Sequence, residues 1–554
     1  MIKVNIDGQE ITLEKPMTIL AAAQRAGIKI PTLCYDKQLE PFGGCRLCLV
    51  EIERVPKLMA SCTVNVTDGM VVRTQTEKVK KARKAQLEFL LINHPLDCPV
   101  CDKAGECDLQ DLVAQYGAHE GRFLEGKRKH PESFRDPIIV RNMERCITCT
   151  RCVRMCDGVQ GAFAITVTGR GNHSFVEPFT GGEYKCEYCG NCLTVCPVGA
   201  IMSKLHRHSY RPWYVEKEIK TICGFCAVGC TLIAQTRGKD IIRTMPKHGL
   251  GINDGILCVR GRFGYDYRSG EGRITTPLIR KDSGELEPAS WETAIDYAAR
   301  RLADIKERHG VASIGGIGSG RCTNEDNYML QKLIRYVIGS NNMDSSARFA
   351  FAPAQKYLER MFGQGVTANL IPGIANADGV IVFGGDPTAI NPILGVQCRI
   401  ARRKGAKVIV IGAPAGLKGF VDYKLEPVVG CEEVVLRAIV KGVVDKKGLS
   451  GENAYIENKI KKLMSPDDET IERVGVAVAD IAKAVDNILK MKSPVVVIGP
   501  EAVHTSSASL NLFLLGVINY VLNGRIFLLS EKANYQGLLD MGRAPDVVPG
   551  GEAY

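Results

Sequence analysis

Apolar and polar positions alternate with a period of two in "VNIDGQEITL" near the start of the chain, and the Asp-Gly pair in its middle predicts a two-strand hairpin. The next run, "TILAAAQRAG", changes to a helical period and predicts a short amphipathic helix. A third run, "EKVKKARKAQLEFLLIN", predicts a longer helix that ends immediately before His94. From about residue 273 the texture is different. Short β-rich runs, "VASIGGIG", "GVIVFGG", "KVIVIGAP" and "SPVVVIGP", alternate with helical stretches such as "WETAIDYAARRLADIKERHG" and "DNYMLQKLIRYVIG". That alternation predicts a doubly wound α/β sheet with a mostly parallel core. The most apolar stretch, "LNLFLLGVINYVLNG", is interrupted by Asn519 and Asn523 and is too short to span a bilayer, so it predicts a buried helix.

Length and composition narrow the class. A chain of 554 residues, 45% hydrophobic and 24% charged, accommodates three to five ordinary globular domains. The opening "MIKVNIDGQEITL" has no apolar signal core and no twin-arginine motif, so a cytoplasmic location is expected. Cysteine changes the picture. Without an export signal, 22 cysteines point to thiolate ligands in a reducing compartment rather than to disulfides. Nineteen lie before residue 259, leaving Cys322, Cys398 and Cys431 as ordinary thiols.

The nineteen fall into groups. Cys34, Cys45, Cys48 and Cys62 follow the hairpin and helix of a β-grasp ferredoxin, and the long gap before Cys45 favours a [2Fe–2S] centre over a zinc knuckle. His94, Cys98, Cys101 and Cys107 suit zinc or iron–sulfur equally by spacing; their place after a ferredoxin-like segment favours a histidine-ligated [4Fe–4S] cluster. "CITCTRCVRMC" then recurs as "CEYCGNCLTVCP", each with bacterial ferredoxin spacing, in which the fourth cysteine serves the other repeat's cluster. Cys196 is thus expected with Cys146, Cys149 and Cys152, and Cys156 with Cys186, Cys189 and Cys192. Cys223, Cys226, Cys230 and Cys258 form the last group. Nineteen cysteines and His94 make five sets of four: one [2Fe–2S] and four [4Fe–4S] clusters.

Clusters also alter the meaning of the charge. A formal +11 and runs such as "KVKKARK" would fit nucleic acid. Five clusters with their thiolates bring about −9, leaving about +2, so the basic excess is assigned to the clusters and nucleic acid is not an expected partner.

By order and spacing of these twenty positions, residues 1 to about 272 resemble the large iron–sulfur subunit of respiratory complex I and of NAD-linked, electron-bifurcating hydrogenases and formate dehydrogenases; "DPIIVRNMERCITCTRCVRMCDGVQG" is especially specific. Residues 273–554 resemble the molybdopterin-binding core of formate dehydrogenases through "GSGRCTNEDNYMLQKL", "GGDPTAINP" and "NYQGLLDMGRAPDVVPG". The resemblance implies a multidomain α/β chain: a [2Fe–2S] ferredoxin-like domain over 1–78, a helical [4Fe–4S] segment with one histidine and three cysteine ligands over 79–118, a two-[4Fe–4S] ferredoxin over 137–209, a molybdopterin-oxidoreductase-type [4Fe–4S] domain over 216–272, and a degenerate molybdopterin-binding-like domain over 273–554.

Departures from that family refine the implied function. Ala350 and Phe351 stand where catalytic formate dehydrogenases carry a metal-binding cysteine or selenocysteine and a histidine, Arg260 replaces a lysine, the Asp-Pro-Arg run after "KVIVIGAP" is missing, and "VVGCEE" replaces a Gly-Thr-Asp turn. The sequence also ends before the position of the family's C-terminal barrel. No catalytic residue and no molybdopterin are therefore expected. The resemblance implies an electron-transfer subunit whose partners are a flavin (FMN) NAD(H)-binding iron–sulfur subunit, a small thioredoxin-like [2Fe–2S] subunit and hydrogenase subunits of the [NiFe] type, with ferredoxin added where the complex bifurcates. The intact two-cluster segment favours the hydrogenase branch; a complex I subunit and a formate dehydrogenase subunit are the alternatives.

Overall fold

In the computed structural model, residues 1–117, 121–133, 136–179, 185–208, 210–268, 272–363, 371–412, 416–417, 419–449, 453–544 and 547–549 are described. Two compact units divide the chain. One comprises Met1–Lys220, Ile233–Met245 and Ile256–Tyr265; the other comprises Thr221–Leu232, Pro246–Gly255 and Asp266–Tyr554.

The first unit opens as its alternation predicts. Strands Ile2–Ile6 and Gln9–Leu13 pair antiparallel, with Ile6 opposite Gln9. Asp7 and Gly8 turn the chain at φ 48° and 89°, the left-handed conformation that a tight two-residue hairpin demands. Ile2–Ile6 also pairs in parallel with Met70–Arg73, which joins Leu49–Ile52 and Met59–Ala60 to complete a five-stranded sheet. Val4, Ile6 and Val72 supply the period-two core face, and the helix Ile19–Arg25 covers it with Ile19, Leu20, Ala22 and Ala23. Thr18 caps that helix by accepting the Ala21 N–H at 3.2 Å.

The helix Glu77–Leu91 follows, capped by Thr76 and burying Val79, Arg83 and Leu87. Its charged character hides an internal cation. The Arg83 guanidinium is fully buried and donates to the carbonyls of Leu47 and Leu49, on either side of Cys48, at 3.2 and 3.3 Å. Beyond it, the antiparallel strands Ile139–Arg141 and Ile201–Ser203 bracket two short helices, Arg151–Arg154 and Asn191–Val195. These helices begin the same way in both cysteine repeats. Thr148 and Tyr188 have φ 53° and 50°, and Thr150 and Gly190 have φ 60° and 71°. Matching left-handed residues wind each loop around its cysteines, and the repetition visible in sequence is therefore also a repetition of backbone.

The second unit is built on a five-stranded sheet in the order Tyr423–Leu425, Lys407–Ile411, Gly379–Phe383, Val495–Ile498, Arg525–Leu528, every neighbour parallel. Its strands are buried on both faces. Ile381, Phe383, Ile409, Ile411, Val496 and Ile498 face one core with helices Glu432–Lys447, Val478–Leu489 and Ala508–Leu522. Val380, Val382, Val408, Val410, Val495 and Val497 face the other, with helix Pro392–Arg403. Two-sided burial explains why these runs read as continuous β-branched stretches instead of alternating ones. The helix Ala508–Leu522 is buried along most of its length, as its apolarity predicts.

Two local readings differ. "VASIGGIG" does not enter the large sheet: its strand, Gly316–Gly318, pairs in parallel with Met343–Ser345 as a separate two-stranded sheet. Its glycines leave few side chains to bury between two helical layers. "DNYMLQKLIRYVIG" is helical throughout but widens to a π-helix over Leu333–Ile338 after Asn324–Lys332. Among the described residues no helix is long and apolar enough to cross a membrane.

Candidate metal centres

Geometry collects the predicted cysteines into separate nests. The clearest is a cavity lined by Cys146, Cys149, Cys152 and Cys196 together with Met143, Ile147, Val176, Val198, Ala200 and Ile201. Cys196 thus reaches the first repeat's loop from the second repeat. Burial disfavours the thiolates: it pushes Cys146 up to about 11 and Cys149 up to about 12, with the charge of Cys196 adding to the effect, and it raises Cys152 well above a free thiol. Four sulfurs in an apolar chamber ionise together only against an added positive charge, which a metal centre supplies. An all-thiolate donor set in apolar surroundings fits an iron–sulfur core.

The second repeat mirrors the first. Cys186, Cys189 and Cys192 interact electrostatically with one another, and Cys156 acts on Cys189 and Cys192. Burial again pushes Cys186 and Cys192 up to about 11. Backbone N–H groups of Thr148, Tyr188 and Ala164 point at the sulfurs of Cys146, Cys186 and Cys156, each at 3.3 Å. Such N–H···S bonds stabilise a thiolate and tune the potential of a bound cluster.

The N-terminal set is arranged in two pairs. Hydrogen bonding from Cys45 holds Cys34 down to about 5 while raising Cys45, and Cys62 similarly holds Cys48 down to about 6 while its own thiol is raised. Cys48 and Cys62 lie 3.4 Å apart at sulfur, and all four residues are buried. Leu33 N–H donates to Cys45 Sγ at 3.4 Å, and Cys45 N–H to Cys34 Sγ at 3.5 Å.

His94 stands at the end of its helix with Nδ1 buried and lacking a hydrogen-bond partner. Burial lowers its pKa to about 4, so the imidazole is neutral and able to bind a metal. An orphaned ring nitrogen beside thiols is what an absent ligand bond would leave. The Asp97–Arg145 ion pair acts electrostatically on both His94 and Cys101, while Cys98 is exposed and Cys107 is buried, its thiol pushed up to about 11 by burial. Gly199 is required here by space, since a Cβ would lie 2.3 Å from Cys101 Sγ.

In the last group, Cys223, Cys226 and Cys230 are buried on one tight loop in which Cys223 N–H donates to the Cys230 carbonyl at 2.8 Å. Cys258 is buried at the start of the helix Val259–Phe263. The three remaining cysteines behave as plain thiols by position: Cys398 is a core residue raised to about 12 by burial, Cys431 is half-buried and Cys322 is exposed.

The region similar to a pterin site lacks suitable donors. Ala350 has no ligating atom, and the Phe351 ring packs on Tyr535 at 5.7 Å between centroids. In "GGDPTAINP" the Asp386 carboxylate fills the turn. It accepts the Thr388 N–H and O–H at 2.8 and 2.7 Å and the Gly416 N–H at 2.7 Å. A phosphate would compete there with a resident anion for the same donors. The arginines set among the cysteines, Arg83, Arg145 and Arg154, escape a reading of the sequence. Their trace is the basic density of "ERCITCTRCVRMC" and of the helix before His94.

Comparison with known proteins agrees with this layout. Models of a 2Fe-2S iron-sulfur cluster binding domain (residues 1–77), an NADH-ubiquinone oxidoreductase-G iron-sulfur binding region (83–122), the ferredoxin-like domain of NADH-quinone oxidoreductase subunit 3 (136–202), a molybdopterin oxidoreductase Fe4S4 domain (216–270) and a molybdopterin oxidoreductase (273–425) match in succession. An NADH-quinone oxidoreductase G-type subunit of Rhizobium meliloti is 38% identical over 99% of this chain. The chain belongs to the family of NADH-quinone oxidoreductase G-type subunits. A second relative is the NADPH-Fe(3+) oxidoreductase subunit alpha of Geobacter sulfurreducens, 36% identical over 99% of this chain. The chain spans 64% and 66% of the lengths of these two relatives. A solved structure of an NAD+-reducing [NiFe]-hydrogenase is 28% identical, covering 38% of this chain and 90% of its own, with a TM-score of 0.35.

Proposed function

We propose that this chain is an iron–sulfur electron-transfer subunit that carries electrons between a flavin/NAD(H) subunit and a hydrogenase module of a larger oxidoreductase complex. The observation that carries the reading is the apolar cavity shared by Cys146, Cys149, Cys152 and Cys196. Iron–sulfur clusters, when bound, accept and release electrons one at a time. The residues proposed to hold them are Cys34, Cys45, Cys48 and Cys62 for a [2Fe–2S] centre, and four further sets for [4Fe–4S] centres. Those sets are His94 with Cys98, Cys101 and Cys107; Cys146, Cys149, Cys152 and Cys196; Cys156, Cys186, Cys189 and Cys192; and Cys223, Cys226, Cys230 and Cys258.

The protein's own part is to bind, orient and insulate. Apolar walls exclude water, backbone N–H groups point at sulfur, and neighbouring arginines compensate charge. The second unit is proposed as a retained molybdopterin-oxidoreductase fold serving as a structural brace, because Ala350 and Phe351 offer no metal ligand and Asp386 occupies its own turn. NAD(H) chemistry and hydrogen chemistry then belong to partner subunits. A second reading, a subunit of a quinone-reducing complex I, is favoured by the name and 38% identity of the Rhizobium relative. Co-purified subunits discriminate the two: nickel and FMN with this chain support the first, membrane subunits the second. Coupling of ferredoxin to NADH by the purified complex would place it among bifurcating enzymes.

The deciding test is an element count on anaerobically purified protein with EPR after reduction. Five clusters require about 18 iron atoms per chain and no stoichiometric molybdenum or tungsten. A colourless zinc protein, or stoichiometric molybdenum or tungsten with a pterin, would overturn the assignment.

A further inference from the structure

Arg154 lies at the end of the short helix that carries Cys152, and its guanidinium reaches two of the cysteine nests at once. One terminal nitrogen, Nη2, donates to the Cys34 carbonyl at 2.6 Å and to the Cys149 carbonyl at 3.4 Å. Nη1 donates to the Glu40 carbonyl at 2.6 Å, and Nε to Thr150 Oγ1 at 3.0 Å. The Phe42 ring covers it, 5.3 Å from centroid to guanidinium carbon. Every donor is thus aimed at a loop of the first or the third cysteine group. Among the described residues no carboxylate lies within ion-pair distance of Arg154, whereas its neighbour Arg151 pairs with Asp36 at 2.9 Å and with Asp108 at 3.4 Å. A half-buried cation without a counter-anion, bonded only to neutral oxygens, retains its full field for whatever negative charge its surroundings hold. The two cysteine sets are where that charge would reside.

We propose that Arg154 is a positioning residue for electron transfer between the centre held by Cys34, Cys45, Cys48 and Cys62 and the centre held by Cys146, Cys149, Cys152 and Cys196. The guanidinium locks the Cys34 loop to the Cys149 loop and places one uncompensated positive charge beside the first centre. In the transfer step one centre is oxidised by one electron and the other is reduced by one. Arg154 exchanges neither an electron nor a proton. Its planar fork keeps the two ligand loops in fixed relation, and its charge favours the reduced, more negative form of the adjacent centre. A lysine could keep the charge but not the multiple donors.

This inference rests on the cluster assignment above, and the experiment separates the two. The full chain with its clusters is purified anaerobically as wild type, Arg154→Gln and Arg154→Lys. Absence of both EPR signals from the wild type defeats the cluster assignment itself. With the wild-type signals present, Arg154→Gln is expected to keep its iron content while the one-electron reduction equilibrium of the [2Fe–2S] centre shifts about tenfold toward the oxidised form, about 59 mV lower in potential. Rapid-freeze EPR should also show slower electron exchange between the two centres. Arg154→Lys should restore the potential and leave exchange slow. An unchanged potential and unchanged exchange in Arg154→Gln overturn the proposal. Should that variant lose its iron, Arg154→Lys decides: wild-type behaviour in both measurements overturns the proposal, and slow exchange at a wild-type potential sustains it.

Discussion

A buried thiol surrounded by other thiols is reluctant to ionise, and each cysteine in the Cys146 cavity meets that cost only in company with a metal centre. This makes the crossing of the two repeats testable one residue at a time. Cys156→Ala should remove the centre assigned to Cys186, Cys189 and Cys192 and leave the one assigned to Cys146, Cys149 and Cys152 in place, while Cys196→Ala should do the reverse. Each variant should lose about four iron atoms and a different EPR signal. Loss of the same signal from both would contradict the crossed pairing. At this scale the spacing of the cysteines was legible because it is local, whereas the partner of each arginine was not. Arg154 and Cys34 are 120 positions apart, and no periodicity links them.

Elements were legible in proportion to how far burial imposes a period. The N-terminal hairpin is half-buried, so Val4 and Ile6 alternate with polar neighbours and announce the strand. The central strands of the second unit are buried on both faces and announce themselves by β-branched runs. Edge strands Tyr423–Leu425 and Arg525–Leu528 are short and carry charge, and nothing in their local pattern singles them out. The turn after Gly379–Phe383 looked open to a phosphate because it is rich in glycine. Its glycines serve packing: a Cβ on Gly416 would come 1.6 Å from Thr388 Oγ1. Asp386→Ala should therefore lower stability by about 1–3 kcal/mol, since three hydrogen bonds lose their acceptor. A shift of the denaturant midpoint would read it. A neutral substitution would mean that the carboxylate does not hold the turn.

At the scale of the whole molecule, charge and cofactor content are one property. The chain alone carries a formal +11, and five clusters with their thiolates would bring it to about +2. Isoelectric focusing under nitrogen should place the cluster-bearing protein below the metal-free chain. Equal isoelectric points would show that the basic excess has another use. The sequence by itself determined the cysteine spacing, the two repeats and the order of strands and helices, because these depend on neighbours a few residues apart. Only the tertiary structure decided that Gly316–Gly318 leaves the main sheet, that Asp386 fills its own turn, and that Arg154 spans two cysteine nests. Each of those outcomes depends on which distant backbone groups end up within hydrogen-bonding reach, and long-range proximity is created by folding rather than written in any local pattern.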